Sequence, residues 1–212
     1  MQVNPSDPSF HLSADSTKTI AERRDAKNYI SQLFGPQFPE IKNGFFNAHM
    51  TRGIIIQPHW HTNASEMVFM ISGSVITSVF NPFTQKLMSY QIGPGEVSML
   101  PKGWFHWIIA LTDDVHLLTI FDVPTPDVVF GSDFLRFTPA EVMNRAYCID
   151  PAAYAQTVAP IRKSTILGPP TDCAGANLPN VNHAQPSIQQ HQSYFADPTM
   201  PNPNARSQER AF

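Results

Sequence analysis

Four residues carry the spacing of a chemical site. His59 and His61 are two apart, Glu66 follows after a short stretch, and His106 stands far downstream. On a strand, positions i and i+2 project to the same face, so both rings of the first pair point one way. A turn at Thr62-Asn63-Ala64 brings Glu66 back on the adjacent strand to that face. His106, on a later strand that also faces inward, adds a third imidazole. A carboxylate inside a barrel is costly unless it is paired or metal-bound. A divalent cation solves that problem and accounts for all four residues at once. His11, His49, His116, His183 and His191 lack this pattern and read as ordinary core or surface residues.

The elements that must position these groups are short. From about Phe45 to Val123 run eight apolar or alternating segments: FFNAHMT, GIIIQ, EMVFMI, SVITSVF, KLMSYQI, EVSML, WFHWIIAL and VHLLTIFDV. Gly53, Gly73, Asn81-Pro82, Gly93-Pro94-Gly95, Pro101 and Thr112-Asp113-Asp114 separate them. Strands at this spacing predict an all-β sandwich or small barrel. Barrel turns need special backbone geometry, which the glycines supply. Four regions are expected: an N-terminal arm over 1–39, the barrel over 40–125, a loop and helical annex over 126–167, and a tail over 168–212. In the arm, Thr19 to Leu33 fits either a short helix or an edge strand. In the annex, Thr138 is expected as an N-cap, with Pro139 at the first helical position and Glu141 in the capping-box place. A second short helix is expected from Asp150-Pro151. The tail is rich in Pro, Asn, Gln and Ser without apolar periodicity, and reads as extended or disordered. An arm lying on a neighbouring subunit is the alternative.

Composition removes several functions. With 14 Lys and Arg against 17 Asp and Glu, the net charge is −3, which leaves no basic footprint for nucleic acid. The 212 residues are 42% hydrophobic and 15% charged, enough for one core. No run of about 18 apolar residues exists, so no membrane-spanning helix is expected. The first residues lack the form of a secretory signal, and a cytoplasmic location is the default. Cys148 and Cys173 lack metal-finger spacing and read as two free thiols.

The two segments that hold the site resemble the cupin superfamily. Gly53, His59, His61, Glu66 and Gly73 fit the pattern G-x5-H-x-H-x4-E-x6-G, and Gly95, Pro101, Gly103 and His106 fit G-x5-P-x-G-x2-H. Ala110 stands where the second pattern ends in Asn. The stretch HWHTNASEMVFMISG resembles one half of the two-domain oxalate decarboxylases, and more distantly the germins. The segment after the barrel is similar too: Leu117–Phe121, then a lid-like loop over 122–137, then a helix over 138–146. The resemblance implies a double-stranded β-helix, or jelly-roll barrel, with short C-terminal helices. It implies a metal at His59, His61, Glu66 and His106, manganese(II) first, then iron(II), with nickel, copper or zinc in other branches. Three nitrogens and one oxygen suit several of these ions. Four protein ligands on an octahedral ion leave room for water, a carboxylate or dioxygen, as a catalytic site does.

Two departures shape the functional expectation. Ile56 occupies the place of the decarboxylases' oxalate-binding Arg, and the lid-like loop contains no Glu. Asp127 is the expected substitute as general acid, with Asp133 second. Arg136 and Lys102 are the nearest basic residues for a carboxylate. Ile56, Val68, Met70 and Phe121 are expected to line an apolar pocket, with Trp104 either at its mouth or packed in the barrel. Trp60, Phe105 and Trp107 are expected to point away from the site. Three functions fit: a metal-dependent enzyme decarboxylating or oxidising a small organic acid, a cupin dioxygenase on a larger chelating substrate, and a non-catalytic storage, coat or ligand-binding cupin. The expected partners are a small carboxylate, dioxygen in the second case, and further copies of the chain in a homo-oligomer.

Overall fold

In the computed structural model, residues 4–8 and 10–173 are described, so most of the segment read as a tail lies outside the described residues. Among the described residues, twelve strands and three helices follow one another. They are β1 (Thr19–Arg23), β2 (Tyr29–Leu33), β3 (Phe45–Met50), β4 (Ile55–Trp60), β5 (Glu66–Ser72), β6 (Val75–Asn81), β7 (Lys86–Ile92), β8 (Val97–Leu100), β9 (His106–Ala110) and β10 (Val115–Phe121). Then come β11 (Val129–Phe130), α1 (Gly131–Phe137), α2 (Ala140–Tyr147), α3 (Pro151–Val158) and β12 (Leu167–Gly168).

Alternation drives the strands. In β10, Val115, Leu117, Thr119 and Phe121 are buried while the residues between them are not, and β9 repeats the pattern from His106 to Ala110. Every strand pairing is antiparallel. The pairings nest around one hairpin: β6 with β7, β5 with β8, β4 with β9, and β3 with β10. That nesting is the winding of a jelly roll, here an all-β double-stranded β-helix. One sheet has the order β1-β2-β3-β10-β5-β8, and the other β11-β4-β9-β6-β7, with β12 on β4. Between them lies a core that includes Met50, Val68, Met70, Ile108 and Leu117. Each such side chain contributes about 1.5–3 kcal/mol by leaving water. A smaller cluster of Phe34, Ala64 and Phe121, with Phe46 against it, closes one end.

Several local expectations change. Thr19 to Leu33 is neither one helix nor one strand but the hairpin β1–β2 at a sheet edge. The lid-like loop holds β11 and α1, and α1 has no side-chain N-cap to announce it. Thr138 is the C-cap of α1 rather than the N-cap of α2, and its hydroxyl donates to Phe134 O at 2.6 Å. Pro139 takes the N-cap place without a capping side chain. Asp150, by contrast, caps α3 by accepting from Ala153 N. The barrel also runs beyond 40–125, because β1, β2, β11 and β12 join its sheets, and Leu167–Gly168 of the last pairs with Ile56 and Ile55. Cys148 and Cys173 are exposed free thiols. Among the described residues, no helix is long and apolar enough to cross a membrane.

The glycines that punctuate the two motif segments, Gly53, Gly73, Gly95 and Gly103, all have φ between 74° and 83°. Gly73 and Gly95 differ in surroundings. A Cβ on Gly73 would stand 2.6 Å from Thr112 Oγ1 and 2.9 Å from Val115 Cα, whereas one on Gly95 would meet nothing within 4 Å. Left-handed backbone alone costs an L-residue about 1–2 kcal/mol, and overpacking adds about 1–3 kcal/mol. Gly95→Ala should therefore lower the melting temperature by about 2–8 °C, and Gly73→Ala by about twice that or more. Differential scanning calorimetry of the two variants checks the order. Equal losses would mean that the contact at Gly73 relaxes freely.

Candidate metal centre

The site lies at one end of the barrel, where the second sheet brings β4 and β9 together. His59 and His106 face each other as a directly paired couple across these strands. The register of β4 shifts between Ile56 and His59, at the Gln57-Pro58 step. Proline cannot donate to a ladder, and such a bulge re-aims the side chains that follow it. Ile56 and His59 consequently both face inward, although strict alternation would separate them. Glu66 opens β5 and pairs with Phe121 on one side and Leu100 on the other.

The four side chains converge. One ligand atom from each of His59, His61, Glu66 and His106 lies within 4.8 Å of all the others, and all four residues are buried. Each imidazole is oriented by a main-chain carbonyl: His59 Nδ1 by Gln57 O at 2.7 Å, His61 Nδ1 by Asp127 O at 2.7 Å, and His106 Nδ1 by Trp104 O at 2.8 Å. A carbonyl only accepts, so each ring keeps a proton on Nδ1 and turns Nε2 to the centre. There His61 Nε2 donates to Glu66 Oε2 at 2.9 Å, and His106 Nε2 stands 3.2 Å from the same oxygen.

Two further contacts bear on whether a cation fits. His59 Nε2 and His106 Nε2 are 3.1 Å apart. Two neutral rings protonated at Nδ1 would oppose lone pairs there, and either a proton on one Nε2 or a shared cation relieves that repulsion. Glu66 is only 2% exposed, and among the described residues the ion-pair partners of its buried oxygen are His61 and His106. Burial opposes ionisation of Glu66, but hydrogen bonds from His106 and His61 outweigh it and hold the carboxyl well below its usual range. Burial also opposes charge on His61, yet the Glu66 contact prevails and raises that imidazole. Burial, with His106 beside it, pushes His59 down to about 3. A neutral His59, a carboxylate and two more Nε2 atoms form a donor set that suits a first-row divalent ion.

The loop after β10 closes over this end. Asn63 pins it, donating from Nδ2 to Thr125 O at 3.2 Å and accepting from Asp127 N at 2.8 Å. Asp122 accepts from Ser65 N at 2.9 Å. Asp127 thus meets the site through its carbonyl. Its carboxylate is exposed, accepts from Thr62 Oγ1 at 3.3 Å, and does not line the cavity beside the centre. Ring edges wall the histidines in, with Phe121 4.8 Å from His61 and Phe130 6.3 Å from His59 between centroids.

A cavity of about 190 Å³ adjoins the centre. Of the residues expected there, Ile56 and Phe121 line it. Val68 and Met70 are fully buried behind it, and Trp104 packs on the main core and 6.0 Å from Phe83. Trp60 lies against Phe105, and Phe105 against Trp107, away from the cavity. Asp133 is held by Arg136 at 2.9 Å and Ser164 at 2.6 Å, so this pair belongs to the annex. Lys102 is exposed and touches the site region only by its backbone N, which donates to Ser65 Oγ at 3.3 Å. Sequence reasoning missed Glu22, Gln32, Phe46, Thr119 and Phe130 in the lining. Only Thr119 carried a signal, as a polar residue on the inward face of the alternating strand β10.

Comparison with known proteins agrees with this architecture. The chain is 28% identical over 116 residues to a probable oxalate decarboxylase of Arthroderma benhamiae, covering 53% of this chain and 28% of that protein. It is 28% identical over 116 residues to germin-like protein subfamily 1 member 1 of Arabidopsis thaliana, covering 52% and 51%. It therefore spans about half or less of the length of these relatives. A solved structure of Bacillus subtilis oxalate decarboxylase, from work on its Mn(II) centres, superimposes with a TM-score of 0.63 at 20% identity, over 74% of this chain and 42% of that one. A likeness at that identity speaks for the fold alone. The family model described as cupin matches residues 28–153, a span that contains all four converging side chains and more than half of the sequence, and the chain belongs to the cupin family.

Proposed function

We propose that the chain is a metal-dependent cupin enzyme that decarboxylates or oxidises a small organic acid. One observation carries this reading: four side chains converge, and three of them, His59, His61 and Glu66, line a largely apolar cavity. A storage shell has no need of three imidazoles each aimed by its own carbonyl. His59, His61, Glu66 and His106 would hold the ion, and manganese(II) is the first to test because Mn(II) centres are named for the Bacillus subtilis enzyme. Iron(II) is second. A bound divalent ion supplies Lewis-acid polarisation of the carboxylate oxygens of a substrate. The chain's own contribution is threefold. The three carbonyls fix the rings, Glu66 offsets charge, and Phe121, Phe130 and Ile56 keep bulk water from the reacting end. Asp127 acts by aiming His61 through its carbonyl.

Turnover tests the reading. The manganese-refilled protein, given small carboxylic acids in air, should release carbon dioxide, with peroxide only if the reaction is an oxidation. No product from any acid would overturn it. The apolar walls also suit a dioxygenase on a larger chelating substrate. Stoichiometric oxygen uptake by the iron-loaded protein identifies that case.

Two expectations concern the metal itself. Manganese at about a hundred times its dissociation constant should add about 2.7 kcal/mol of stability. That corresponds to a rise of about 5–10 °C in melting temperature. Affinity should also fall with acid. Ligand nitrogens must shed protons, and Glu66 holds one on His61 by raising that ring. Below the raised value the ion displaces one proton, so each pH unit lower should weaken binding by up to about tenfold. Titration calorimetry between about pH 8 and 6 reads the slope, and a flat line contradicts the assignment of His61.

A further inference from the structure

The cavity beside the metal centre has a chemistry of its own. On the same scale a water molecule needs about 10–15 Å³, so the cavity of about 190 Å³ holds an organic molecule. Among the described residues no lysine or arginine lines it, and Ile56 does. Glu22 does line it, brought round by the register shift in β1 between Ile20 and Glu22. A second carboxylate on a substrate would therefore meet hydrocarbon and like charge.

The lining contains one unanswered polar group. Thr119 is 2% exposed, and its hydroxyl has no hydrogen-bond partner. Leaving such a group unpaired costs about 1–3 kcal/mol. The strand register says where it lies. Gln32, Phe46, Thr119 and Val68 form one row across the sheet, on the same face as the row of Phe121 and Glu66. Thr119 is thus one pleat, about 7 Å, from the position paired with Glu66. Gln32 lines the cavity in the same row.

We propose that the cavity takes an organic acid with a single carboxylate, an apolar body and a neutral hydrogen-bonding group seated on Thr119, and that it disfavours dianions such as oxalate. The proposal rests on the metal-centre reading, since the carboxylate is held at that end.

Calorimetry on the full-length manganese-loaded protein tests it with oxalate, phenylpyruvate and 4-hydroxyphenylpyruvate. Both aryl acids should bind more tightly than oxalate, by about tenfold or more. Thr119→Val should weaken 4-hydroxyphenylpyruvate by about 3–10-fold, leave phenylpyruvate nearly unchanged, and not lower the melting temperature of the ligand-free protein. Glu22→Gln should strengthen oxalate binding several-fold. Oxalate as the tightest ligand, or Thr119→Val acting equally on both aryl acids, overturns the proposal. Manganese titration of the same samples separates the failures. No uptake defeats the metal-centre reading and this one together, whereas uptake with oxalate preferred defeats this one alone.

Discussion

Glu66 is a carboxylate at 2% exposure inside an apolar barrel, and the surrounding design answers that fact. A buried anion is tolerated only with compensating charge and hydrogen bonds. Among the described residues, compensation comes from imidazoles, drawn from two strands and the turn between β4 and β5. Each ring needs its own anchor, and three main-chain carbonyls provide them. The carbonyls come from the bulge in β4, the turn before β9 and the loop after β10. The bulge, the turn and the pinned loop are therefore parts of one electrostatic solution. Loosening any of them would turn an Nε2 away from the centre.

Much of this was legible in the residues. His59 and His61 announced a shared face by their spacing, and the glycines of the two segments do sit at positive φ. Each of the eight central runs contains a strand, but β4 starts and ends later than the run GIIIQ, and His61 lies just past its end rather than on it. What stayed hidden has common physical causes. Cross-strand rows join residues far apart in the chain, so Gln32, Phe46 and Thr119 cannot be recognised as neighbours before the register is known. Bulges defeat alternation, as at Ile56 and at Glu22. Helix α1 begins without a capping side chain, and the Thr-Pro pair that resembled a helix start closes that helix instead.

The same reasoning separates the two halves of the functional argument. The donor set is general to many reactions, because three nitrogens and an oxygen accept several ions. Selectivity must come from the cavity walls, and there the chain follows its own course. Among the described residues, its lining offers hydrocarbon, Glu22 and the Thr119 hydroxyl rather than a lysine or arginine. A site and not a scaffold chooses its substrate.

The account depends most on an ion sitting among four named atoms. Anomalous diffraction from crystals of the manganese-loaded protein measures this directly. The account predicts one strong peak per chain at bonding distance from Nε2 of His59, His61 and His106 and from a carboxylate oxygen of Glu66. A peak elsewhere, or none at full manganese occupancy in solution, would contradict it.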